Sequence, residues 1–286
     1  MQDHLVGVSH SCDYPPGVTK LPTMTSTRVP FKETSEAIDN FVRDHLSGHE
    51  ALYELDMEAL RTVAPDVIVS QALCDVCAVS TGDVTVALDS LPSRPRLIDL
   101  EPNTLDEVFD DCKRVGESLG VGVRARSLYQ ELHSRRAVVA ERTAPIPVSQ
   151  RPRVAFLEWL EPPFNGGHWN PELVSLAGGI DVLGAAGKPS STLSWEQVIA
   201  SKPDVLFIAC CGFSCERAME DVALLQKSEI WQQIPAAVHG RVLVADGNSF
   251  FSRPGPRLLD ALEFLAHALH PNVHPVSSYG SCIEVS

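Results

Sequence analysis

Thiol, imidazole and aromatic side chains recur directly after the apolar runs in the first half of this sequence. Residues 9–14 follow the run Leu5–Val8, and a Cys-x-x-Cys pair follows residues 66–70. Two thiolates at that spacing can reach one metal ion, but a single pair is a weak signal without further ligands. The candidate residues of this half are His10, Ser11, Cys12, Tyr14, Gln71, Cys74 and Cys77.

The second half repeats the pattern after the runs 153–158 and 204–209, and again after the last run at 241–245. Aromatic rings and an imidazole suit a flat organic ligand, while an arginine or backbone amides before a helix can meet an anionic group. The candidate residues of this half are Trp159, Phe164, His168, Trp169, Cys210, Cys211, Phe213, Phe251 and Arg253.

Two interpretations of the cysteines remain open at this point. If the strand ends share one cleft, their thiols and imidazoles predict a soft-ligand metal site, a metal ion or an iron–sulfur cluster. Free cysteine is also among the most buried residue types and packs as a small apolar group. The candidate metal ligands are Cys12, Cys74, Cys77, Cys210, Cys211 and His168.

The elements that carry these residues are short, continuous apolar runs followed by helical segments. Such runs are typical of parallel strands covered by helices on both faces. Residues 122–143 predict one long helix, which ends before the Pro-rich segment 144–148. The sequence therefore predicts two Rossmann-like α/β lobes joined by a long rigid helix. The predicted parts are an N-terminal lobe 1–121, a helix and linker 122–149, a C-terminal lobe 150–272 and a loosely ordered tail 273–286.

Composition excludes several classes of function. The 286 residues carry 23 Lys and Arg against 37 Asp and Glu, a formal net charge of −14, which disfavours nucleic acid and anionic lipid as partners. No apolar stretch is long enough to span a membrane, and Met1–His4 has no features of a secretory signal. The sequence as printed therefore predicts a cytoplasmic protein, or an extracytoplasmic one if its N-terminus is truncated. Eight cysteines in so long a chain are expected to be free thiols or metal ligands.

Catalysis is not predicted. The sequence contains no Gly-x-Ser-x-Gly elbow, no phosphate-binding glycine loop and no His-Glu-x-x-His motif. Cys12 beside His10 has no third group to orient a base. We therefore assign no catalytic residue.

Several segments resemble the periplasmic cobalamin-binding proteins of ABC importers. The most specific is Val6–Pro16, which contains Asp-Tyr-Pro-Pro and precedes Leu21-Pro22. Residues 60–69, 156–164 and 194–204 are similar to further segments of that family. The resemblance covers about residues 5 to 270.

The resemblance implies two lobes joined by one helix, a corrinoid such as cobalamin held between them without chemistry, and an ABC-transporter permease as candidate partner. It assigns ligand contact to four segments, which are 10–12, 71–74, Trp159 with 164–169, and 250–253. A corrinoid is a large, mostly apolar ring edged with amides, which suits aromatic faces and a few polar groups.

The sequence departs from the family pattern in three respects. The family has a strand and a helix ahead of the segment that corresponds to Leu5, whereas this sequence begins almost at that segment. The first lobe is therefore expected to lack a strand and to expose a sheet edge. Ser11 and Gln71 stand where the family has aromatic residues, close to thiols that can bind a metal. No carboxylates for docking on a permease are placed by motif. The alternatives are therefore a thiol-rich metal or iron–sulfur protein, or a scaffold that binds neither.

Overall fold

The computed structural model describes residues 2–48, 51–71, 88, 90–278 and 283–285. The chain forms two compact units, residues 1–101 and residues 102–286. Both units combine helices with strands. The predicted boundaries after residues 121, 149 and 272 remain predictions.

The described residues of the first unit form two pairs of strands. Strands β1 (Thr25–Thr27) and β2 (Tyr53–Leu55) pair antiparallel. Strands β3 (Val67–Gln71) and β4 (Arg96–Leu100) pair parallel, as their predicted apolar runs required. The strand β3 therefore ends at Gln71, one of the candidate residues.

Two helices of the first unit begin at side-chain caps. Helix α1 (Ser35–Ser47) begins after Thr34, and helix α2 (Met57–Val63) begins after Asp56, whose side chains accept backbone N–H groups of the first turn. The small core beneath α2 is formed by Met24, Leu60 and Leu91.

The strand predicted at Leu5–Val8 does not form. Only Val8 makes an isolated parallel bridge, to Thr23, and residues 2–4 form a short 3-10 helix. Leu5 and Val6 remain 42% and 44% exposed, so this apolar run gains little from burial. The prediction of a strand here was wrong because a short apolar run forms a strand only where a neighbouring strand pairs with it.

The second unit is built on one mixed sheet. Its strands run in the order β10-β9-β8-β5-β6, and β7 also pairs with β5. The central strands pair parallel, while β6 and β10 are antiparallel. Their bounds are β5 (Arg153–Leu160), β6 (Pro163–Asn165), β7 (Ile180–Asp181), β8 (Val205–Ile208), β9 (Val242–Val244) and β10 (Ile283–Val285).

The strands of this sheet are continuous apolar runs, which are stable only when both faces of the sheet are covered. All four residues of β8 are accordingly fully buried. The described helices of this unit are α3 (Leu105–Ser118), α4 (Gly122–Thr143), α5 (Asn170–Leu176), α6 (Trp195–Ala200), α7 (Cys215–Leu225), α8 (Pro235–Val238), α9 (Gly247–Phe250) and α10 (Leu258–Leu269). The predicted long helix is thus present with its predicted bounds. Within the described ranges, no helix is long and apolar enough to cross a membrane.

The C-terminal segment contributes to the folded second unit. Strand β10 pairs with β9, and Val285 is 6% exposed. His274 is 2% exposed, and its Nε2 lies 3.1 Å from Oγ1 of Thr143, at the end of α4. The prediction of a loosely ordered surface segment after residue 271 was therefore wrong for these residues, because side-chain and strand pairing attach them to the fold.

Candidate functional site

The candidate site of the second unit lies at the carboxyl ends of its parallel strands, where ligands bind in open α/β sheets. Trp159 stands near the end of β5 and faces Phe164 of β6 in the strand register. The Trp159 ring contacts that of Phe213, with ring centroids 4.9 Å apart. The guanidinium of Arg217 lies 4.3 Å from the Phe213 ring centroid. We call Trp159, Phe164 and Phe213 the edge cluster.

Trp169 and Phe251 lie deeper. They are 2% and 1% exposed, and Nε1 of Trp169 donates a 2.8 Å hydrogen bond to the carbonyl oxygen of Phe251. The Phe251 ring packs against Phe156 and Phe207 of the sheet. Their positions indicate that these two predicted ligand contacts pack within the core of this unit; a direct contact with ligand remains a prediction.

His168 occupies an unusual backbone position. Its φ is 53°, in the left-handed region that costs a non-glycine residue free energy unless the surroundings hold it. Its N–H donates to the carbonyl oxygen of Lys188 at 2.6 Å, and Nδ1 lies 3.1 Å from the amide oxygen of Asn103. An amide oxygen only accepts, so Nδ1 carries the proton and Nε2 carries the lone pair. Burial lowers the pKa of this imidazole, which favours the neutral ring.

Two segments meet at this edge: residues 163–169, which begin with strand β6, and residues 187–193. Together we call these two segments the loop pair. They form a ladder: Phe164 bridges Thr192, and the side-chain oxygen of Asn165 accepts from the backbone N–H of Ser191 at 2.6 Å. Gly167 makes the close approach possible, since a Cβ there would overlap the backbone nitrogen of Ser190. The loop pair is therefore a defined structure rather than an irregular connection.

Buried polar residues beneath the loop pair were not identified from the sequence. Glu158, on β5, is 8% exposed, and burial raises the pKa of its carboxyl group. Asp181 has a raised pKa for the same reason, and its Oδ1 accepts from the backbone of Leu183 and Gly184. A glutamate within the otherwise apolar run 154–160 was the available signal.

Of the candidate residues in the first unit, those at positions 10–14 directly follow the Val8 bridge. The His10 ring stacks on Tyr53 at 5.3 Å, and its Nδ1 lies 2.7 Å from Oγ1 of Thr25. Cys12 is exposed and lies 3.3 Å from Oγ of Ser9. Tyr14 is 59% exposed, and Ser11 is also exposed. This unit thus presents a thiol and a phenol to solvent.

The described cysteines give no support to a thiol-rich metal or iron–sulfur site. Cys210 is fully buried, and burial with the nearby charge of Asp221 raises its pKa, which favours the neutral thiol. Cys211 is partly buried. Within the described residues, no group of three or more His, Cys, Asp or Glu is placed to hold a metal ion. Cys74 and Cys77 lie outside the described residues.

Arg253 follows helix α9 and is hydrogen-bonded to a residue of that helix. Its guanidinium donates a 2.7 Å hydrogen bond to the side-chain oxygen of Asn248.

The structure brings aromatic and imidazole candidates of the second unit together in two groups. One is the edge cluster, and the other is His168 with Trp169 and Phe251. Contact of any of these residues with a ligand stays a prediction.

An α/β unit with aromatic rings and a neutral imidazole at its strand ends is typical of proteins that bind small molecules. The family model described as "Periplasmic binding protein" matches residues 2–248, so the chain belongs to the periplasmic binding protein family. A vitamin B12-binding protein of Vibrio cholerae is 25% identical over 269 residues, which are 91% of this chain and 79% of that protein. The predicted resemblance is thereby confirmed.

Solved structures confirm the predicted two-lobe α/β fold. The periplasmic heme-binding protein RhuT from Roseiflexus sp. RS-1 has a TM-score of 0.70 at 22% identity, with 95% of this chain and 91% of that chain covered. The periplasmic vitamin B12-binding protein BtuF of Vibrio cholerae has a TM-score of 0.64 at 22% identity, with 93% and 88% covered. Membership of this family supports a role as a binding protein in ABC transport.

Proposed function

We propose that this chain binds a corrinoid of the cobalamin type and delivers it, chemically unchanged, to an ABC-transporter permease. The observation that carries the proposal is the match to vitamin B12-binding proteins over nine tenths of the chain. The edge cluster adds physical support, because the partly buried Phe164 faces Trp159 at the strand ends and offers an aromatic surface to a large ring with apolar faces. The periplasmic family favours an extracytoplasmic location for this activity.

Heme is the second candidate ligand. Solved relatives of similar fold include heme-binding proteins. In this chain, the His168 ring carries its proton on Nδ1, and no hydrogen bond within the described residues reaches its Nε2. A neutral imidazole nitrogen of this kind is a common axial ligand of heme iron.

Replacing Trp159 with leucine is expected to weaken corrinoid binding about tenfold, because the aromatic ring that packs against Phe213 and faces Phe164 at the strand ends is removed. The measurement is a titration with cyanocobalamin followed by quenching of tryptophan fluorescence. All four tryptophans, at 159, 169, 195 and 231, lie in the second unit, so the other three still report binding.

Trp231→Leu is the matched control. Trp231 is 7% exposed, close to the 8% of Trp159, but it stands in the segment that leads from the end of α7 to the start of β9, away from the carboxyl ends of the parallel strands. We expect this variant to retain wild-type affinity. Equal affinity of the two variants would remove Trp159 from the site, and a flat titration of the wild-type protein would refute the corrinoid proposal.

A further inference from the structure

Glu158 is a charged residue type in an apolar strand. The residues that flank it in β5, Leu157 and Trp159, are 0% and 8% exposed, and Glu158 itself is 8% exposed. Burying a carboxyl group is costly unless hydrogen bonds replace those it made with water. The partners of this side chain therefore define its role.

Those partners lie in the first loop of the loop pair and in the helix that follows it. Oε2 accepts a 3.0 Å hydrogen bond from the backbone N–H of Gly167 and a 3.2 Å bond from Nδ2 of Asn170, at the start of α5. The Ser190 side chain, in the second loop, favours the charged form of the same carboxyl group and lowers its pKa. One buried group thus connects β5, the loop 163–169 and the first turn of a helix.

The loop at 163–169 needs such an attachment. It carries Phe164 and His168, two of the residues proposed to contact ligand, and His168 is held at a φ of 53°. The N–H of His168 bonds to Lys188, and its carbonyl oxygen accepts from Gly187, so its conformation depends on the registry of the two loops. The hydrogen bonds that Glu158 accepts from Gly167 and Asn170, on either side of His168 in the chain, stabilise that registry.

We propose that Glu158 is a positioning residue: its buried carboxyl group holds the loop pair against β5 and thereby places Phe164 and His168 for ligand. The part of this statement that concerns ligand rests on the proposed function. Among the described residues, the titratable groups whose charge couples to this carboxyl group are Asp181 on β7 and the Cys210 thiol after β8. Glu158 makes no contact with ligand itself.

The test compares Glu158→Ala with Glu158→Gln. Glutamine keeps the shape of the side chain and an oxygen that accepts from Gly167 and Asn170, whereas alanine removes every bond. We expect the cyanocobalamin dissociation constant to rise about tenfold in the alanine variant and to stay within about twofold of wild type in the glutamine variant. Without ligand, amide hydrogen exchange at Gly167 and Ser191 should accelerate about tenfold in the alanine variant alone.

Thr143→Val is the control for general destabilisation. Thr143 is 4% exposed and donates to the carbonyl oxygen of Leu176 at the end of α5, so its replacement also removes a buried hydrogen bond. This variant should unfold more easily without change in affinity or in exchange at Gly167. Wild-type exchange rates in Glu158→Ala, or equal weakening by alanine and glutamine, would overturn the inference. If the wild-type protein binds no corrinoid, the proposed function fails, and the exchange measurement still decides whether Glu158 holds the loops.

Discussion

Replacing Gly247 with alanine should destabilise the second unit by about 3 kcal/mol. Gly247 begins α9, where the chain passes directly under the end of β8. A Cβ at this position would overlap the carbonyl oxygen of Cys210 and would lie 2.6 Å from the carbonyl carbon of Ala209. These are backbone atoms of a buried segment, so they cannot rotate away as a flexible side chain would. Urea unfolding followed by tryptophan fluorescence measures the effect, since all tryptophans lie in this unit.

Gly255→Ala is the control for the change of residue type. A Cβ on Gly255 has no atom within 4 Å, and its backbone is not in the left-handed region. This variant should keep its unfolding midpoint or gain slightly, because alanine restricts the unfolded chain more than glycine does. A Gly247→Ala midpoint equal to that of Gly255→Ala would show that α9 does not approach the end of β8 so closely.

Phe251→Ala should lower the free energy of unfolding by about 3–5 kcal/mol. The ring is 1% exposed and contacts Phe156, Phe207 and Phe264, all with centroids between 5.3 and 5.4 Å away. The bond from Trp169 reaches the backbone carbonyl of Phe251, so the substitution keeps it and removes packing alone. Chemical denaturation at a fixed pH measures the loss.

Its neighbour Phe250 supplies the comparison. Phe250 is only partly buried and contacts Phe264 and the guanidinium of Arg257. We expect Phe250→Ala to cost clearly less stability than Phe251→Ala. A Phe251→Ala protein as stable as wild type would place the ring at a ligand surface, as the sequence alone predicted, instead of in the core.

The strands and the long helix of the second unit could be predicted because their signals are local. The run 205–209 is continuously apolar, and strand β8 forms within it. The segment 122–143 lacks proline and glycine after its first residue and is followed by a Pro-rich segment, and helix α4 has these bounds. Local composition decides such elements.

The loop pair could not be predicted because its contacts are distant in sequence. Asn165 accepts a hydrogen bond from Ser191, 26 positions further along the chain, and the N–H of His168 bonds to Lys188. Nothing in the local pattern indicates that residues 187–193 run beside residues 163–169. The same reason explains the tail, where β10 pairs with β9, some 40 residues earlier in the chain.

The run Leu5–Val8 shows that a local pattern typical of a strand does not always form one. Its apolar residues satisfied the pattern of a strand, yet only Val8 pairs, in a single bridge to Thr23. The cysteines were similarly ambiguous: the spacing allowed metal ligation, while Cys210 lies fully buried after β8. Residue type and spacing do not distinguish a buried thiol that packs from one that binds, because burial depends on the whole fold.

The corrinoid proposal is tested by calorimetric titration of the reduced, metal-free protein with cobalamin. A parallel titration with heme and elemental analysis of the protein as purified accompany it. We expect saturable binding of one cobalamin per chain, weaker binding of heme, and no stoichiometric metal before ligand is added. Saturable heme binding without cobalamin binding would contradict the corrinoid and favour the second candidate. Absence of both, with a stoichiometric metal in the purified protein, would contradict the proposed function altogether.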